Sequence, residues 1–405
     1  MRILHTSDWH LGRSFHGVGL LDAQQQFLDH LVETVTAEQV DLVVVSGDIY
    51  DRALPPVDAV EVAGEAFARL AATGVRTVVT SGNHDSAVRL GFNARLADAA
   101  GVHLRTRWQD VGTPVVVPDD HGDVAVYGLP YLEPDAVRGP WRLGSRTHEA
   151  ALAAAMQRVD EDLARRGGRS VVMAHAFVAG SPEAAPTLAS DSERDISVGG
   201  VQIAPTGLFT GASYTALGHL HGRATLTDTI RYSGSPLAFS FSEARHVKGS
   251  WLVELGAQGF ERADFVEAPV PRRLATLSGR LDELLADPAH ETVEDHWLAV
   301  TLTDPRRPRM AMERLRQRFP HTLMVTFEPA ERRTGRAPVA PHVTGRSDHD
   351  IALGFVQEVR RLEATTEEAL LLQLACDSCR INDDRDTDHP VDVTAAGSTP
   401  WEDAG

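Results

Sequence analysis

At 405 residues, with 42% hydrophobic and 24% charged residues, the chain has the length of two or three domains and the composition of a soluble globular protein. A formal net charge of −18 argues against a general electrostatic grip on nucleic acid, and no stretch approaches the roughly 20 apolar residues of a membrane span. Two cysteines, Cys376 and Cys379, leave no disulfide framework, and the opening "MRILHTSDWH" turns polar before any signal-peptide core can form, so the cytoplasm is the expected location.

Short apolar runs recur through the first 260 residues: Val40–Val45, Val75–Thr80, Val124–Leu129, Ser170–Ala174, Tyr214–Leu217 and Trp251–Leu255. Several are apolar on both faces, the pattern of strands buried between layers. Among the first of them, Ala23–Val35 and Val57–Leu70 place apolar residues three and four apart and predict helices. The expectation is a layered α/β domain over residues 1–268. Around Glu267-Ala268-Pro269-Val270-Pro271 the character changes. Leu274–Leu285 predicts a helix, Trp297–Thr303 a strand, Arg309–Phe319 a helix and Leu323–Phe327 a strand, together a small α+β domain over residues 269–330. A linker rich in Pro, Gly and Arg covers 331–347.

Residues 348–375 predict two helices. Ile351, Phe355, Val359 and Leu362 share a face of the first, and Thr365 with Glu368 forms a capping box that starts the second. From 376 to 405, eight acids stand against Arg380 and Arg385, about a third of the net charge, and a disordered acidic tail is expected. The chain has no internal repeat.

Five motifs fall at or just past the ends of the predicted strands: Asp8-Trp9-His10, Gly47-Asp48, Gly82-Asn83-His84-Asp85, Ala174-His175 and Gly218-His219-Leu220-His221. Strand C-termini are where α/β sheets present functional side chains. Each motif alone is weak, since Asp48 can simply start a turn and His175 can be a satisfied core histidine. Together, Asp8, His10, Asp48, Asn83, His175, His219 and His221 offer oxygen and imidazole donors without a thiolate, a set that suits Mn²⁺, Fe or Zn²⁺. Seven ligands are too many for one ion and natural for two, with Asp48 bridging. Glycines before Asp48, Asn83 and His219 are expected to let backbone approach the ions. Two ions can clamp a phosphodiester for in-line hydrolysis without a protein nucleophile. His84 would then face the scissile phosphate as charge stabiliser or proton donor, with Asp85 orienting it.

This set, in this order, resembles the calcineurin-like metallophosphoesterase superfamily. The wording "HTSDWHLG", "SGDIYDRALPP", "SGNHDSAVRLGFNA", "MAHAFVAG", "RDISVGG", "ALGHLHG" and "RYSGSPLAFSFSE" is similar, over roughly residues 1–328, to its SbcD-type nuclease subunits. The resemblance implies a four-layer αββα phosphoesterase domain, a capping domain, and C-terminal helices that dock on the coiled-coil base of an SbcC-type ATPase. It implies two subunits of each protein, a homodimer within the heterotetramer, near the nucleoid, with no membrane. It also implies two divalent ions, usually Mn²⁺, and cleavage of duplex DNA ends and hairpins in repair, recombination and replication. Metal ligands carry over as Asp8, His10, Asp48, Asn83, His175, His219 and His221, with His84 catalytic. Some relatives place a histidine three residues after the bridging aspartate, where this chain has Asp51.

Three features stay open at this point. Arg306, Arg307, Arg309, Arg314, Arg316 and Arg318 form either a solvated helix face or a DNA-backbone contact. The pair Cys376 and Cys379 reads as incidental rather than as a zinc or redox site. The helices at 348–374 either pack back on their own domain or meet a partner, which the linker before them favours. The rival functions are a stand-alone phosphodiesterase or nucleotidase for small molecules and a scaffold that has lost catalysis. The complete ligand set speaks against the scaffold.

Overall fold

The computed structural model describes residues 1–180, 190, 191, 193, 203–329, 347–360 and 362–386. The chain divides into two units, Met1–Ala330 and Glu331–Gly405. In the first unit the order begins β1 (Arg2–Thr6), α1 (Leu21–Ala37), β2 (Leu42–Ser46), α2 (Val57–Thr73), β3 (Arg76–Thr80) and β4 (Val102–Arg105). It continues with β5 (Val115–Asp119), β6 (Gly122–Leu129), α3 (His148–Arg166), β7 (Arg169–His175), β8 (Tyr214–Gly218), β9 (Ile230–Tyr232), β10 (Gly249–Gly256) and β11 (Gly259–Glu267).

Two six-stranded sheets result. One runs β11-β10-β1-β2-β3-β4, parallel from β1 to β4 with an antiparallel hairpin at the β1 edge. The other places β9-β8-β7-β6-β5 beside a short strand, Ala224–Thr225, and is parallel from β9 to β6. Alternation along each strand explains the double-sided apolar runs. Ile3, Leu42, Val44 and Val78 meet Val124, Val126, Val171 and Met173 between the sheets. Leu4, Val43, Val45 and Val79 turn outward onto Phe27 and Leu31 of α1 and Ala63 and Leu70 of α2. Tyr127, Leu129, Val172 and Ala174 turn the other way, onto Leu152, Met156 and Val159 of α3. The layers are αββα, as expected.

Strand β7, which ends at His175, starts on a buried ion pair. The Arg169 guanidinium grips Asp119 with both amino groups, and the side chains are 6% and 10% exposed. That contact holds the Asp119 carboxyl well below the usual carboxylate range. A depressed folded-state value means the stabilisation is complete above the unfolded value of about 3.9 and fades as pH falls through the folded one. Asp119→Ala leaves the Arg169 charge without its partner, and urea unfolding near pH 7 should show a loss of about 3–5 kcal/mol. The gap to wild type should hold down to about pH 4 and narrow only below it. A gap that closes between pH 7 and 5 would contradict this pairing.

The small domain is an all-parallel sheet, β12 (Leu274–Gly279), β13 (Trp297–Leu302) and β14 (Thr322–Phe327), with α4 (Leu281–Ala286) and α5 (Ala311–Arg318) packed on it. Its core is Leu281, Leu284, Leu298, Val300, Leu302, Leu315 and Phe319. The helix expected over Leu274–Leu285 is instead a strand followed by a short helix. Leu274–Gly279 pairs in register with Trp297–Leu302, and Asp304 accepts the Leu281 N–H at 3.0 Å, so pairing overrides the helical spacing. Three of the six arginines are committed locally: Arg314 to Asp282, Arg316 to the Thr322 carbonyl, and Arg318 to Glu294 and the carbonyls of Leu284 and Leu285. Arg306, Arg307 and Arg309 stay exposed.

The second unit contains α6 (Asp348–Arg360) and α7 (Thr366–Asp386). The capping box is reciprocal: Thr365 N–H donates to Glu368 at 2.9 Å, and Glu368 N–H to the Thr365 hydroxyl at 3.3 Å. Helix α7 runs on to Asp386, so the tail expected to be disordered from 376 begins in helix. The apolar pattern stops near Leu374, but no glycine or proline intervenes before Pro390. Residues 387–405, the linker 331–346 and the "RDISVGG" stretch at 194–200 lie outside the described residues. No helix among the described residues is long and apolar enough to cross a membrane.

Candidate metal centre

All seven proposed ligands converge where the parallel strands of both sheets end. Asp8 and His10 follow β1, Asp48 follows β2, Asn83 follows β3, His175 closes β7, and His219 and His221 follow β8. Trp9 points the other way, into the helix layer against Phe27 and Phe67. The turns that achieve this are strained. Asp8, His10, Asp48 and His219 have φ of 54°, 45°, 49° and 105°, the left-handed region that non-glycine residues avoid. Four such residues at one site indicate strain held in place for function. Gln24 of α1, 1% exposed, satisfies the first turn by donating to the carbonyls of Trp9 and His10 at 3.0 and 2.6 Å.

The donor atoms face one another at short range. His10 Nε2 lies 3.1 Å from His221 Nε2, and Asn83 Oδ1 lies 3.0 Å from His175 Nε2 and 3.1 Å from His219 Nδ1. Asp48 stands between these groups, its Oδ2 3.5 Å from His10 Nε2 and 3.3 Å from His175 Nε2. Asp8 is buried and accepts the His219 N–H at 3.0 Å and the Ser7 hydroxyl. Three sets of ligand atoms fall within 4.8 Å of one another: Asp8, His10 and His221; His10, Asp48 and His84; Asp8, Asp48 and His175.

The electrostatics fit a cationic guest. Burial lifts the Asp8 carboxyl to about 6, with Asp48 adding to the rise against the pull of His175 and His221. Burial pushes His10 well below the usual imidazole range and His219 down to about 3, keeping both rings neutral, as a metal ligand must be. Burial works against a proton on His175, yet Asp48 outweighs it and raises that ring to about 9. His10 Nδ1 is buried without a hydrogen-bond partner among the described residues. Two buried carboxylates among four buried imidazoles with nitrogen facing nitrogen, with a proton drawn onto His175, form a donor set that fits divalent cations.

Each of these glycines makes room for a neighbouring protein atom at the centre. A Cβ at Gly47 would sit 2.3 Å from His175 Nδ1, one at Gly82 2.1 Å from Asp48 Oδ1, and one at Gly218 1.9 Å from the Ser46 carbonyl. Gly82→Ala should therefore displace Asp48 and lower both metal content and activity at least tenfold. Gly64→Ala on α2, where a Cβ meets open space, is the control. Metal analysis of the two purified variants checks this, and equal metal content would contradict it.

Asp85 does not touch His84. Its carboxylate accepts the N–H groups of Ile49, Tyr50 and Gly82 at 3.1, 2.9 and 2.9 Å, so it shapes the turn that carries Asp48. His84 is held by the Asp51 carbonyl, 2.8 Å from Nδ1, and its ring meets that of His10 edge to face at 4.7 Å. The Asp51 side chain pairs with Arg13 at 3.2 Å. Sequence reasoning missed Gln24, Arg13, the Asp51 carbonyl and the Ser46 carbonyl, which lies 2.8 Å from His175 Nδ1. A backbone carbonyl leaves no mark in residue type, and Gln24 looks like any helix surface glutamine.

Comparison with known proteins agrees with this geometry. The chain belongs to the calcineurin-like phosphoesterase family, whose model matches residues 1–221. The SbcD_C family, described as the type 5 capsule protein repressor C-terminal domain, matches residues 270–360. Among solved structures, TT1561 of Thermus thermophilus is similar at 13% identity over 65% of this chain and 98% of its own, with a TM-score of 0.38. A dimetal phosphatase from Danio rerio is similar at 13% identity over 66% of this chain and 99% of its own, with a TM-score of 0.39. Likenesses of that size add nothing to the family assignment. The family and the donor set make the chain a metal-dependent phosphoester hydrolase.

Proposed function

We propose that the protein is a DNA nuclease, the catalytic subunit of a two-plus-two complex with an SbcC-type ATPase, using two divalent ions, most readily Mn²⁺. The observation that carries the reading is the pairing, in one chain and in this order, of a calcineurin-like phosphoesterase match with an SbcD_C match. The domains are read as a nuclease domain over 1–268, a cap over 269–330 and a partner-docking helical pair from 348. A small diester would need neither of the last two.

Asp8, His10 and His221 would hold one ion, Asn83, His175 and His219 the other, and Asp48 both. When bound, the ions supply charge for the phosphoryl oxygens and an activated water. His84 is the residue left to act on substrate. With Nδ1 engaged by the Asp51 carbonyl, Nε2 is the nitrogen that stabilises charge on the phosphate or delivers a proton to the leaving oxygen. Asp85 and Gln24 keep the turns carrying Asp48 and His10 in their strained form.

The test is an Mn²⁺-dependent assay on blunt duplex, hairpin and cyclic-nucleotide substrates, with and without the ATPase. Cleavage of the duplex and hairpin supports the reading, and hydrolysis of cyclic nucleotides alone would replace it with a small-molecule phosphodiesterase. Arg306, Arg307 and Arg309 are exposed cap residues available to DNA phosphates. Changing all three to glutamate should weaken duplex binding alike for all sequences and flatten the dependence of log K on log salt by about three units. An unchanged slope in a binding titration would remove them from the interface.

A further inference from the structure

Behind His221 lies a buried ion pair that the hydrolytic chemistry leaves unexplained. Glu243 and Lys248 are 1% and 4% exposed. The Lys248 ammonium donates to Glu243 Oε2 at 2.5 Å, to the Ser235 hydroxyl at 2.9 Å and to the His221 carbonyl at 2.7 Å. The other carboxylate oxygen, Oε1, lies 3.7 Å from His221 Nδ1. Taking two charges out of water is costly, and a well-packed apolar pair serves stability as well or better. This pair, however, meets His221 at two points: Lys248 bonds its carbonyl, and the Glu243 carboxylate stands against Nδ1 of its ring.

We propose that Glu243 is a positioning residue for His221, setting the ring from its Nδ1 side so that Nε2 faces the donor cluster, with Lys248 holding the carboxylate in place through its other oxygen. The inference rests on the two-ion reading of the centre. Metal-binding imidazoles ordinarily pass their second nitrogen to a carboxylate or carbonyl, which sets both tautomer and aim. Glu193 Oε1 also lies 3.7 Å from His221 Nδ1, but that oxygen accepts the His221 backbone N–H and Oε2 accepts that of Ser190. Both Glu193 oxygens are thus taken by backbone N–H groups, whereas Glu243 accepts one, from Phe239 to Oε2 at 3.3 Å, and its Oε1, which also accepts the Ser190 hydroxyl at 3.3 Å, faces the ring.

The far side of the pair supplies the means of testing it. A cavity of about 440 Å³ is lined by Glu243 and Lys248 together with Arg245, Arg273 and Trp297, and it reaches solvent at the exposed arginines. A small carboxylate can enter there and replace a truncated Glu243. The experiment is an Mn²⁺ titration by calorimetry on the full chain, comparing wild type, His221→Ala, Glu243→Ala and the doubly neutral Glu243→Gln/Lys248→Met. The double variant leaves no unpaired charge, so its fold is protected, and one of its two ions should bind about 10–100-fold more weakly while the other is unchanged. Formate should recover affinity in Glu243→Ala and not in His221→Ala. A double variant with wild-type affinity for both ions, or recovery by chloride equal to that by formate, would overturn the positioning role and leave the two-ion reading standing. A wild-type chain that binds fewer than two ions would overturn both.

Discussion

Replacing Asp48 with alanine should abolish phosphodiester hydrolysis and strip metal from the protein, whereas replacing His84 should abolish most hydrolysis with the metal still bound. The difference follows from position. Asp48 is buried at the centre of the donor cluster, within 3.5 Å of both His10 and His175, so its loss removes an anchor from each proposed ion at once. It also frees the His84 N–H, which donates to Asp48 at 2.9 Å, and so loosens the turn behind it. His84 is half-buried and tethered through Nδ1. Alanine there removes a positioned acid or charge stabiliser, worth about 10²–10⁴ in rate, and leaves the other donors in place. Elemental analysis of both purified variants, beside rates on a DNA substrate, separates the two roles. Equal loss of metal in the two would make His84 a ligand, which its place beside His10 and Asp48 permits geometrically.

Removing everything from Asp348 onward should leave metal-dependent cleavage of small phosphodiesters largely intact and, under the proposed function, abolish capture of an SbcC-type ATPase and any stimulation by ATP. Every proposed ligand precedes residue 222, in a unit with its own cores. The helical pair is a different kind of surface. Phe355, Val359, Leu370 and Leu371 are 68%, 51%, 61% and 63% exposed, on two helices of which the second is capped by Thr365 and Glu368. Leu362, 71% exposed, lies just past the end of the first helix, on which it was expected. Large exposed apolar side chains on ordered helices mark a surface that a protein covers, and a coiled coil accepts such anchors in its groove. A pull-down with the truncated chain decides. Full-strength capture would take the helices out of the interface, and loss of small-diester cleavage would make them part of the catalytic fold.

The donor cluster was legible in the sequence because strand ends in a parallel sheet must gather on one edge, and Asp, Asn and His placed there have little else to do. The layers were legible too, since a strand covered on both sides has to be apolar at every position, as Leu42–Val45 is. What the sequence hid is what depends on pairing or on the main chain. Leu274–Gly279 has a helix-like spacing and becomes a strand because Trp297–Leu302 offers it an edge. Asp85, adjacent to His84, looks like its partner in sequence, yet three backbone N–H groups claim its carboxylate. The six arginines look alike in sequence, and only the fold separates Arg314, Arg316 and Arg318, bound to their own domain, from the exposed three.

The most direct measurement is anomalous diffraction at the manganese edge from crystals soaked in Mn²⁺. Two peaks are predicted, on either side of the Asp48 carboxylate, one beside Asp8, His10 and His221 and the other beside Asn83, His175 and His219. A single peak, or peaks away from Asp48, would contradict a two-ion centre bridged by that residue.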